Sequence, residues 1–358
     1  MKLTHINQMH VPSWSWLGMN EAQLEFEADL TLPYQKKVVV DSLEEVVHQH
    51  VVPPLKAELP PELKRLHDFV LENHNYSLSL TIAENTQPTK PILVDFLLDE
   101  HDPVLLDYIH IKAQTGSNAT VVLRYQSTDA TECFHGGFVT VEAQTGAQIN
   151  LVILQMLGDK TTHLHGSSIN VNPKAQGNCL HCELGGSQVI SGSTISLLGT
   201  ESRGDVNTLY VGNENRKQDF NYRLQLTGAA SEGNIVCRGA LLGNAKKTLK
   251  STLDFVRGAF GAKGREEETT LVLSDRAINL STPLLLCGEE NVEGEHATFC
   301  GNLDADKLYY VMSRGYTLQE AKTQLVMASF VPIITKLPTA ELQAAVQQKI
   351  QQVIYGKN

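Results

Sequence analysis

Cys179-Leu180-His181-Cys182 is the only C-x-x-C in the chain, and with His163 and His165 it makes a set of thiols and imidazoles of the kind that holds zinc. The spacing argues against that use. If 179 to 182 is one extended strand, alternation sends the two thiols to opposite faces, and only a turn would bring them together. His163 and His165 stand two apart and share a face, which is also how polar residues line a solvated strand. Cys287 and Cys300 could line an iron or sulfide site, since thiolates are soft ligands, but no local motif links them. Cys287 ends the apolar run Leu284-Leu285-Leu286 and reads as a small core hydrophobe. Asp95, Asp99 and Asp107 lie where the acid and base of a carbohydrate-active enzyme on a strand-rich scaffold would lie. The stretch from Gly258 to Gly264 has neither phosphate-loop nor dinucleotide spacing, so its glycines read as backbone geometry. No G-x-S-x-G and no H-E-x-x-H supports a hydrolase.

Composition narrows the frame that must position these residues. The chain has 358 residues and a formal net charge of −11, from 29 Lys+Arg against 40 Asp+Glu. That length can bury a large core. The acidic balance, without any basic run, argues against a nucleic-acid phosphate binder. No stretch of about eighteen apolar residues marks a membrane span, and the opening MKLTHINQMH lacks the apolar core of a signal peptide. The expected location is the cytoplasm, where the six cysteines would be free thiols or metal ligands.

Pro60-Pro61-Glu62 opens a helix whose Leu63, Leu66 and Val70 recur at helical spacing. From about Pro91 to Cys287 the texture becomes β-branched runs of three to six residues, such as Ile92 to Val94, Tyr108 to Ile111, Ala119 to Leu123, Phe138 to Val141 and Ile149 to Ile153. Turn clusters separate them at Thr115 to Asn118, Thr145-Gly146, Gly185 to Ser187 and Ser191-Gly192-Ser193, the punctuation of an all-β domain. A sandwich or barrel and a solenoid both accommodate that length; short, evenly punctuated strands favour the solenoid, although no strict short repeat is visible. After Cys300 the pattern turns helical. Asp304 caps a helix ending at Gly315, and Thr317 to Glu320 forms a capping box that opens a second, which Pro332 should kink or end. A third starts at Pro338-Thr339, carries Leu342, Val346, Ile350 and Ile354 on one face, and stops at Gly356. The expected organisation is a mixed, partly helical segment over 1–80, a parallel β-helix core over 81–300 and a small helical domain over 301–358.

The segment from Asp275 to Gly315 resembles the C-terminal signature of the SufB/SufD family of iron-sulfur cluster assembly proteins. The matching residues are Leu273 to Ala277, Pro283, Glu289-Glu290, His296-Ala297-Thr298, Gly301, Leu303-Asp304 and Ser313-Arg314-Gly315. Near the other end, Pro12 to Leu17, with Trp14 and Trp16, is similar to the tryptophan-rich lead-in of SufD-type members. The resemblance implies a mainly β protein, a right-handed parallel β-helix with a helical N-terminal segment and a C-terminal helical domain. It also implies a scaffold rather than a turnover enzyme. Such a scaffold pairs with a SufB-like paralogue, or with a second copy of itself, through the β-helix, and binds a SufC-like ATPase through the C-terminal helices.

Residue by residue, the resemblance is to the SufD type. Ala277 stands near where a SufB-type cysteine would be, and Gly294-Glu295-His296 stands where many SufD-type members have Cys-Ser-His. His296 is therefore the implied cluster-proximal ligand, an imidazole suited to iron, with Glu295 beside it as an oxygen donor and Cys300 as a further candidate. The implied iron-sulfur cluster is transient and held at the partner interface, with no cofactor bound permanently; flavin is associated with the family as an electron source, but no residue here marks a site for it. Asp304, Tyr309, Tyr310 and Arg314 fall in the region that resembles the ATPase-contacting surface, where large aromatics would act as anchors. Tyr309 and Tyr310 point about 100° apart on a helix, so one would face a partner and the other pack inward.

Overall fold

The computed structural model describes residues 1–13, 15–41, 46–49 and 59–355, so Trp14 of the aromatic lead-in and Gly356, read as a helix stop, lie outside the described residues. From Tyr76 to Gly301 the chain winds as a parallel β-solenoid, its strands contributed alternately to two nine-stranded sheets. Registers run without slips over most of its length: Gln148 pairs with Gln176, Arg203 with Glu232 and Lys263 with Glu293, which makes coils of about thirty residues. The protein is mainly β, and the parallel β-helix expected above is the fold it adopts.

Most strands are ten residues long, as in Val104–Ala113 and Asn118–Ser127, longer than their β-branched centres suggest. Ser191-Gly192-Ser193, read as a turn, lies inside the strand Gln188–Leu197. Small residues are needed there for packing: a Cβ on Gly192 would stand 2.6 Å from Oδ1 of Asn7, and Ser193 hydrogen-bonds Ser167 at 2.7 Å. Two sides of each strand are occupied. Inward residues such as Leu123, Ile153, Ile195 and Leu253 build the central core, while outward residues meet the terminal segments.

The outer face of the sheet containing Val104–Ala113 is covered by helix α1 (Pro61–Asn73) and the antiparallel pair Lys2–Ile6 and Ala22–Glu25, with Leu63, Leu66 and Val70 buried as their spacing requires. The outer face of the sheet containing Asn118–Ser127 is covered by α3 (Leu318–Ile334) and α4 (Ala340–Tyr355), which follow α2 (Ala305–Ser313). Asp304 caps α2 by accepting from the amides of Asp306 and Lys307, and the Thr317–Glu320 capping box opens α3. Pro332 lies inside α3, close to its end. It falls in the last turn, where few intrahelical bonds remain to be lost, and the helix runs two residues further. Leu342, Val346, Ile350 and Ile354 are the buried stripe of α4. Among the described residues no helix is long and apolar enough to cross a membrane.

The two ends of the solenoid differ. At the first, the short strands Val39–Asp41 and Val46–Gln49 pair antiparallel with Ile92–Leu98 and Tyr76–Ile82 and close both sheets. At the other, Ile278–Cys287 and Glu293–Gly301 have no outer neighbour among the described residues. Cys287 is therefore exposed rather than a core hydrophobe, because no further coil covers the strand that it ends.

Phe330 of α3 is fully buried against the sheet, whereas Tyr309 of α2 is 77% exposed. Phe330→Ala should lower unfolding free energy by about 3–5 kcal/mol in urea titrations, and Tyr309→Ala by less than about 0.5 kcal/mol.

Candidate functional site

Register fixes which side chains look into the open end. Glu266, Glu268 and Thr270 pair with His296, Thr298 and Cys300, and the Cα columns behind them run back through the core positions Ile235, Cys237 and Val206. His296 and Cys300 thus share the inner face, four residues and about 13 Å apart along one strand. Asn279, on the inner face of the opposing sheet, donates from Nδ2 to the Cys300 sulfur at 3.2 Å, which ties the two edge strands together across the opening. Glu295, one position from His296, faces the other way and pairs in register with Arg265.

Beneath this rim lies a charged floor. Lys247 is buried and ion-paired with Glu268, and it also donates to the Ser281 hydroxyl at 3.0 Å. Glu268 accepts further hydrogen bonds from Thr270 and Ser281. Glu266 accepts from Ser251 at 3.1 Å through Oε1, while its buried Oε2 has no hydrogen-bond partner. Burial pushes the Glu266 acid up to about 7, against the pull of the Ser251 hydroxyl. Sequence reasoning missed this layer. Its signal is the alternation Glu266-x-Glu268-x-Thr270, which matters only once the strand is known to turn that face inward.

Deeper in the solenoid is a second polar cluster, also missed as a unit. His135 bonds Asp107 at 2.6 Å and His163 at 2.7 Å, and Tyr125 donates to the other oxygen of Asp107 at 2.9 Å. Glu183 stands 3.8 Å from His163 and 3.6 Å from His181, and His181 meets the Cys179 sulfur at 3.1 Å. His163 and His165 share a face as expected, but that face is the interior, not a solvated surface, because another sheet stacks opposite. Cys179 faces inward and Cys182 outward beneath α3 and α4, as strand alternation requires. That separation breaks the four-ligand zinc set, and among the described residues no three His, Cys, Asp or Glu side chains group so as to hold a metal ion. Burial holds His163 and His165 well below the usual histidine range; burial also opposes charge on His181, but Cys179 and Glu183 push it up to about 10.

The three carboxylates considered for glycoside chemistry are dispersed and separately partnered. Asp95 takes Arg124 on the outer face, Asp99 takes Lys36 in a turn, and Asp107 is in the interior with His135. On α2, Tyr309 and Tyr310 are both exposed, so neither packs inward; Arg314 lies over the Tyr310 ring at 5.0 Å and donates to its hydroxyl at 3.0 Å. Trp16, in a short 3₁₀ turn, is also exposed.

A histidine held below its ordinary pKa binds its proton in the unfolded chain first, so acid below about pH 6.5 favours unfolding. His165→Gln removes that coupling at a site with both ring nitrogens unpartnered. Between pH 7.5 and 5.0 the variant should lose about 2 kcal/mol less stability than the parent chain, read from urea midpoints at the two pH values.

Comparison with known proteins fits this architecture. Residues 96–329 match the family model described as SUF system FeS cluster assembly, SufBD core domain. The iron-sulfur cluster assembly protein SufD of Bacillus subtilis is 25% identical over 285 residues, 76% of this chain and 64% of that protein. The SufB protein of the same organism is 25% identical over 142 residues, 40% of this chain and 30% of its own length. A SufBD family protein of Staphylococcus epidermidis matches to the same extent. The chain thus spans 64% of the length of the first of these relatives and 30% of each of the others. With the solenoid built by the matched residues and the signature carried on its last coil, the chain belongs to the SufBD family of SUF-system iron-sulfur cluster assembly proteins, and is SufD-like within it.

Proposed function

We propose that the protein is a non-catalytic scaffold subunit of a SUF-type assembly complex in the cytoplasm, with the open end of its solenoid as the surface on which it pairs. The observation that carries this reading is the contrast between the two ends: one closed by antiparallel strands, the other ending in two bare edge strands. Unpaired edges present backbone donors and acceptors that favour pairing with another sheet, and proteins leave long edges open where a partner covers them. Leu285 and Phe299 add exposed apolar area to the same end. The partner is a SufB-like paralogue or a second copy. His296 is then an iron ligand at the interface, where Cys300 and Glu295 are further candidate donors, and the iron-sulfur cluster is cargo rather than a resident group.

The exposed face of α2 is the proposed dock for a SufC-like ATPase. Tyr309 and Tyr310 would serve as anchors, with Arg314 bracing Tyr310 and Asp304 holding the helix start in place.

Anaerobic affinity purification from the source cells should recover the ATPase and the paralogue in stoichiometric amount; recovery of the chain without an ATPase would overturn the reading. Leu285→Glu with Phe299→Asp should abolish pairing in size-exclusion light scattering with an unchanged far-UV spectrum. Tyr309→Ala with Tyr310→Ala should remove the ATPase alone. His296→Ala should keep the complex and lower reconstituted cluster yield by roughly tenfold or more, the effect expected when a ligand to a metal is lost.

A further inference from the structure

Glu266 is one coil beneath His296 on the same inward column, the two Cα atoms about 5 Å apart across the strand pair. It is 2% exposed, one oxygen accepts from Ser251, and the other is buried without a partner. A buried carboxyl oxygen without a hydrogen-bond partner is open to a ligand, because binding one restores the polar contact that burial removed. The nearest buried cation does not fill that place. Lys247 is ion-paired with Glu268 and donates to the Ser281 hydroxyl, so it reaches Glu266 only as a nearby charge and makes no hydrogen bond or ion pair with it.

We propose that Glu266 and His296 together form a two-ligand half-site for a divalent first-row metal ion, with ferrous iron as the cargo it takes. An imidazole nitrogen and a carboxylate oxygen suit such ions. One ligand on the rim and one in the floor beneath it leave the remaining positions of the ion to groups on the docked surface. A half-site of this kind holds its ion weakly until the interface closes and releases it when the interface opens. The Lys247–Glu268 pair satisfies its own charges, so Glu266 is the floor carboxyl with an oxygen still open to a ligand. This inference rests on the reading of His296 as an interface ligand, and it adds that the ion is held from below by the penultimate coil.

The test is titration of the full chain with Co²⁺, followed by visible absorption under anaerobic conditions, for the parent, His296→Ala, Glu266→Gln and the double variant. Glu266→Gln keeps the shape and the Ser251 hydrogen bond, so the fold should be retained. Both single variants should weaken Co²⁺ binding roughly tenfold or more, with the double variant no weaker than either, since each breaks the same two-ligand site. Glu267→Gln, on the outward face of the same strand, should bind as the parent does. Binding by Glu266→Gln equal to the parent, or no Co²⁺ binding by the parent, would overturn the inference. Pull-down of the ATPase and the paralogue, scored on the same variants, separates the two failures: intact complexes with Co²⁺ binding insensitive to Glu266 remove only this half-site, whereas loss of complexes from the parent chain removes the scaffold reading.

Discussion

Parallel, in-register stacking of coils is the constraint on which the rest of the molecule depends. Each ten-residue strand satisfies its backbone groups only through the coils before and after it, so every inward position becomes part of a column that runs the length of the solenoid. A residue type that suits one coil must be compatible with its neighbours about thirty residues away. The columns are apolar through much of the interior, as with Val94, Leu123 and Ile153, and turn polar at His181, Thr208 and Glu268. The same rule makes the last coil different from all others, because its ladder has nowhere to continue.

From that rule the division of labour among the terminal segments follows. Two sheets facing each other leave two outer surfaces, and the outward residues of the covered strands are apolar enough to need shelter. The N-terminal hairpin and α1 shelter one surface, and α3 and α4 shelter the other. Neither crosses the open end. The short antiparallel strands at the first end close their edges at little cost in chain length, which is a common way of blunting an exposed sheet. The asymmetry leaves one end closed and the other with two bare edge strands.

The polar interior is held by mutual satisfaction rather than by solvent. Arg223, buried between Glu62 of α1 and Asp254 of the next coil, ties the N-terminal cap to the sheet, and removing either acid would leave a buried cation short of a partner. Lys247 and Glu268 do the same across the two sheets near the open end. The histidine cluster is less complete, since His165 and the outer atoms of Glu183 lack hydrogen-bond partners. Neutral His163 and His165 reduce the electrostatic cost that this incompleteness would otherwise carry.

By itself the sequence determined the elements whose signals are local. The α1 stripe of Leu63, Leu66 and Val70, the Asp304 cap, the Thr317–Glu320 capping box and the α4 stripe are all as their spacing requires, because helix periodicity and capping involve residues three or four apart. The split of Cys179 from Cys182 followed from strand alternation, and the family signature around His296 was legible as a linear motif. Only the tertiary structure decided which strand face is inside. That choice moved His163 and His165 from a surface to the core, carried Ser191-Gly192-Ser193 from a turn into a strand, exposed Cys287 and set Glu295 apart from His296. It also put Glu266 beneath His296, thirty positions away along the chain. Alternation has a period of two whichever way a strand is turned, so the inward face is fixed only by the coils stacked on either side.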